Sequence, residues 1–165
     1  MRLEDLRSLL EYHYWARDRM LAALDGLAPE LYARDLGSSF RSIRDTAVHI
    51  YAAEWAWYAR WQGESPTALS QAGTFPDVAS LRRTWVEHEA KMRAFLEESG
   101  TRGLDRVIEY KLLSGDPGAS PFWQMLQHVV NHASYHRGQI TTMLRQVGAS
   151  PAKPMDLIAF YRTRR

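Results

Sequence analysis

The 165-residue chain contains no cysteine. That absence excludes disulfides, thiolate metal ligands and a cysteine nucleophile together. Nowhere are there 18 consecutive apolar residues, and the start, Met1-Arg-Leu-Glu-Asp-Leu6, lacks the apolar core of a signal peptide. No membrane span is expected, and the default compartment is the cytoplasm. A surplus of one charge is also missing: the formal net charge is +2, with Arg and Lys interspersed among Asp and Glu. The only basic cluster is the tail, Arg162, Arg164 and Arg165. It reads as a solvated terminus, so nucleic-acid binding is not expected. With neither low-complexity segments nor internal repeats, residues 1–165 read as one domain, long enough to bury on the order of 70% of its unfolded surface.

What is present is helical periodicity. Four long segments carry it. The first runs from about Glu4 to Leu24 and closes at Asp25-Gly26 and Pro29. The second begins near Ser42, a capping hydroxyl with Asp45 in a capping-box-like position, and ends after Trp61. The third spans about Asp77 to Glu98, with Gly100 as its stop, and the fourth opens at Ser120-Pro121 and stops at Gly148. Between the last two, Arg106 to Leu112 alternates apolar and charged residues as a short strand does, and Ser114 to Gly118 supplies turn residues. Pro154 to Tyr161 can form a final short helix. The expected class is all-α: an up-down four-helix bundle with a short strand or hairpin-like segment before the last long helix. The second helix is apolar nearly all round, from Val48 to Trp61. It is therefore either central in the bundle or covered by a second copy, and a homodimer is expected.

The chemistry sits in the fourth helix, where His128, His132 and His136 are spaced four residues apart. A step of four advances about 400°, so the rings stack on one side of the helix. Random placement of six histidines gives such a triplet in about one chain in a hundred, so the pattern points to a site where a single pair would not. On a helical wheel His136 falls within the apolar stripe, His132 at its edge and His128 toward solvent, as a flanking residue. Two inward rings are costly unless paired, and a metal open to substrate usually takes a third ligand from another helix. Candidates are His13, His49, His88, Glu54, Glu87 and Glu89. His49 is best placed, beside Ala52, Ala53 and Ala56, where a neighbouring helix can approach closely. His88 lies in the charged stretch Glu87-His-Glu-Ala-Lys91 and reads as a surface residue, and His13 reads as aromatic packing or a pocket contact. Asp45, one turn before His49, is either an orienting partner of that ring or a helix-start acid. Gln139 and Arg137 can support the site, although Arg137 projects away from the ligand face as a surface or inter-helix contact. Trp55, Trp57, Trp61 and Tyr58 either line an apolar pocket or pack as core or dimer aromatics.

Ala47-Val-His49-Ile followed by His132-Ala-Ser-Tyr-His136-Arg-Gly-Gln139, with Tyr14-Trp15-Ala16 and the closing Asp156-Leu-Ile-Ala-Phe-Tyr161, resembles the DinB/YfiT-like bacterial metalloprotein family over almost the whole chain. The resemblance implies an up-down four-helix bundle, commonly dimeric, holding a divalent metal through His49, His132 and His136. Related members include S-transferases and isomerases that use bacillithiol or mycothiol. The expected function is thus a metal-dependent thiol S-transferase acting on a small-molecule electrophile. With no cysteine in the chain, the sulfur comes from a low-molecular-weight thiol cosubstrate, deprotonated by the ion. A hydrolase would use a bound water acidified to a pKa of about 7 at the same site, and a non-catalytic, metal-stabilised, stress-related bundle would use the ion for structure alone. Histidine-only sites suit zinc or nickel, the expected ions, as well as iron, cobalt or manganese.

Overall fold

The computed structural model describes residues 1–164; Arg165 of the basic tail lies outside them. Four long helices dominate: α1 (Leu3–Leu24), α3 (Ile43–Trp61), α4 (Val78–Gly103) and α5 (Phe122–Gln146), joined by a short α2 (Pro29–Tyr32) and followed by α6 (Leu157–Arg162). A two-stranded antiparallel hairpin, β1 (Val107–Lys111) and β2 (Pro117–Pro121), separates α4 from α5. Each long helix turns one stripe inward, and Leu6, Leu10, Met20, Ile43, Ile50, Leu81, Trp85, Met92, Phe122, Leu126 and Ile140 make a continuous core.

Side-chain pairs along the helices give their directions. Arg7 pairs with Glu97 and Arg82 with Asp25, so α1 and α4 are antiparallel. Trp61 meets Phe122 while His49 meets His132, so α3 and α5 are antiparallel as well. Tyr51 meets Trp85 and Tyr58 meets Phe95, which makes α3 and α4 parallel. The expected four-helix bundle is present, and its helices run up, down, down, up. A parallel pair needs a connection that travels back along the bundle. Residues 62–77 supply it, with a single 3-10 turn at Ala72–Thr74.

Helix boundaries follow capping chemistry. Ser42 Oγ accepts from the Asp45 N–H and Asp77 Oδ1 from the Ser80 N–H, each satisfying a free helical donor. Gly100, expected to stop the third helix, breaks its path at φ 54, beyond which a further turn reaches Gly103. The start of α5 differs from expectation. Ser120 is not a cap but pairs with Ile108 in the hairpin, and Pro121 occupies the cap position itself. The outer side of α3 is covered within one chain, because β1 and the Ala72–Thr74 turn both pack on it. Among the described residues no helix is long and apolar enough to cross a membrane.

Candidate metal centre

Antiparallel packing of α3 on α5 sets His49 against the middle of α5, where His132 and His136 lie one turn apart. His132 Nε2 is 3.1 Å from His49 Nε2 and 3.0 Å from His136 Nε2. Ring nitrogens of the three residues all fall within 4.8 Å of one another, so the group can hold a metal ion. Nitrogens each about 2.0–2.1 Å from one ion stand roughly 2.8–3.4 Å apart at octahedral to tetrahedral angles, and the two separations fall in that range.

Protons alone serve this arrangement poorly. His136 Nδ1 donates to Gln139 Oε1 at 2.7 Å, which leaves the His136 Nε2 lone pair facing the centre. His132 Nε2 either carries a hydrogen or offers a lone pair; it cannot do both. If it accepts from His49, it meets His136 lone pair to lone pair; if it donates, its one hydrogen is divided between His136 and His49. A cation satisfies all three nitrogens at once. His132 and His49 are also held in the neutral state that a metal requires. Burial, reinforced by the charge of its histidine neighbours, lowers the His132 pKa to about 3, and burial with His136 lowers that of His49 to about 4.

Surrounding side chains fix these rings. Phe40, in the loop before α3, stacks on His49 with centroids 3.8 Å apart and meets His136 edge-on at 5.4 Å. Nothing in the sequence reading pointed to Phe40, because loop packing leaves no periodic trace. His128 is a flanking residue as expected: exposed, with its ring 5.8 Å from His132. Asp45 does not orient His49; its carboxylate lies 3.3 Å from Arg44 Nε. Arg137 points away from the centre, as expected, and is an inter-helix contact rather than a surface one. Only 2% exposed, it donates to Ser134 and lies over the Tyr12 ring of α1.

The remaining third-ligand candidates separate cleanly. Glu54, 1% exposed, accepts from His13 Nε2, Tyr14 Oη and Trp85 Nε1, each at 2.8 Å. Burial pushes its carboxyl pKa up, and His13, His88 and Trp85 together outweigh that and lower it. His88 is not a surface residue. It is 4% exposed, with Nε2 3.8 Å from Glu54, because α4 turns Leu81, Trp85, His88, Met92 and Leu96 inward while Glu87 stays outside. Glu89 pairs with Arg17 and Arg93 across the edge of the bundle. None of these joins the three-histidine group.

A helical bundle with a convergent three-imidazole cluster between two antiparallel helices defines a class of protein with the donor set of a metal centre. The comparisons narrow that class. A model of the DinB family matches residues 2–163, and the chain belongs to that family. It is 27% identical over 155 residues to Protein DinB of Bacillus subtilis (strain 168), covering 90% of this chain and 88% of that one. Its fold is similar to the crystal structure of a DinB-like protein from Bacillus cereus ATCC 10987, with a TM-score of 0.66, 18% identity, and coverage of 88% of this chain and 95% of that chain.

Proposed function

We propose that His49, His132 and His136 bind a divalent metal, zinc or nickel, and that the protein is a metal-dependent S-transferase joining a low-molecular-weight thiol to a small electrophile. The observation that supports this reading is the convergence of three ring nitrogens, which a single proton could serve only through a forked bond and an ion serves directly. Three neutral imidazoles contribute no charge, so the site keeps the full 2+ of its ion and a position open to a ligand. Such an ion supplies Lewis acidity, favouring thiolate over thiol near neutral pH. The chain's own residues do the positioning. Gln139 holds the His136 tautomer, Phe40 shields one side of His49, and the neutral state of His49 and His132 keeps their lone pairs available.

The test is consumption of bacillithiol, mycothiol or glutathione with an electrophilic acceptor, using tag-free protein of known metal content. Native protein consumes at least one thiol at least about tenfold faster than His136→Ala, as expected when a ligand to the catalytic ion is lost. Equal rates with all three thiols would overturn the transferase reading and leave a metal-stabilised bundle without this turnover. A homodimer is part of the same proposal, and sedimentation at about the mass of one chain would remove it.

A further inference from the structure

Eleven residues along α3 from His49 lies a cation with no anion. Arg60, in the last turn of α3, is 5% exposed. Its guanidinium carbon stands 4.6 Å from the centroid of Trp57 and 5.6 Å from that of Tyr110, and these two rings meet edge-on at 5.1 Å. Nε donates to the Lys111 carbonyl at 3.2 Å, which ties the hairpin to α3. Among the described residues no carboxylate pairs with Arg60. Its two terminal nitrogens have no acceptor, yet they are not enclosed by protein and reach solvent.

An unpaired guanidinium sunk between aromatic rings is costly to keep. Stacking on Trp57 recovers part of that cost. Tethering the hairpin needs only one neutral donor. The charge and the two free nitrogens are what neither role explains. From His132 the path leads to the His128 ring at 5.8 Å, then to Trp57 at 5.2 Å, then to Arg60.

We propose that Arg60 is the specificity-determining residue of a substrate subsite that begins at the three histidines, crosses His128 and Trp57, and ends in recognition of a carboxylate on a planar, apolar ligand. Two free nitrogens of one guanidinium fork match one carboxylate in geometry and in charge. The Trp57 face suits the flat body between the reactive end and the carboxylate. Where the reactive end sits rests on the function proposed above; the anion preference does not.

The experiment compares 4-mercaptobenzoate with its uncharged methyl ester on cobalt-loaded protein, using calorimetry for affinity and visible absorption for contact between sulfur and metal. Native protein binds the acid about tenfold or more tightly than the ester, the range of one charge-assisted hydrogen-bonded pair. Arg60→Gln lowers acid affinity to that of the ester while ester affinity holds, and Arg60→Lys keeps a preference for the acid. Native protein that binds both equally overturns the inference whatever the variants do, as does an undiminished preference in Arg60→Gln. An unchanged cobalt spectrum with the calorimetric preference intact would sink the thiol reading and leave the carboxylate subsite standing.

Discussion

Helix α3 contributes to two histidine clusters. His49 and Glu54, five residues apart, project about 140° from each other around it. On the α5 side, three imidazoles converge with no acidic group among them, and their hydrogen-bonding capacity is mismatched. On the α1 and α4 side, one buried carboxylate receives His13, Tyr14 and Trp85, each with a hydrogen to give. In the second cluster the carboxylate is satisfied by three protein donors, although His13 Nδ1 and His88 Nε2 are buried without a partner, whereas in the first, three ring nitrogens converge with no acceptor or donor but one another. One unpartnered ring nitrogen does not mark a ligand site, as His13 shows; several ring nitrogens converging on one position without an acid among them do.

Single substitutions should split the clusters most sharply. His132→Ala takes metal content from about one ion per chain to near none, read by elemental analysis, while the fold persists. Glu54→Ala does the reverse. Its folded fraction keeps the ion, while stability falls by roughly 3–5 kcal/mol in a denaturant titration, because three buried donors lose their acceptor. Metal loss in the Glu54 variant at matched folded fraction would erase the distinction.

Acid should act next, and on both clusters in the same direction. The metal-free pKa values of about 4 for His49 and about 3 for His132 lie below the unperturbed 6.5, so the unfolded chain binds protons first. Stability of the metal-free protein is thus fully present above pH about 6.5, declines as pH falls, and levels off below about 3 as far as these two rings are concerned. Lowered values at His13, His88 and Glu54 add to the same slope. Thermal melts of chelator-treated protein from pH 8 to 4 check this, and a flat profile between 6.5 and 4 would contradict it. The smallest effect belongs to Gln139→Ala, which frees the His136 tautomer and weakens metal affinity about tenfold in a competition titration without changing stoichiometry.

The two clusters were unequally legible in the sequence. Repeated spacing of four on one helix exposed His132 and His136, and the small residues after His49 marked a close helix contact. His88 was obscured by Glu87 and Glu89, although Leu81, Trp85, His88, Met92 and Leu96 carry an inward period that outweighs the flanking charge. Glu54 was visible only as one acid among several, since its three donors come from two other helices. Phe40 and Arg60 acquire meaning from a loop and a hairpin folding back on α3, which no local pattern encodes. Ser120 reads as a cap until β1 claims it as a partner, and Pro117 and Pro121 at the strand ends hide the pairing.

The cluster also spans the chain: His49 and His132 are 83 positions apart. An ion gripped there would act as a staple, closing a loop of that size and stripping conformational freedom from the denatured ensemble much as a sulfur bridge does in secreted domains. A polypeptide without a single thiol would thereby gain a reversible cross-link, one that a chelator undoes and a reductant leaves intact.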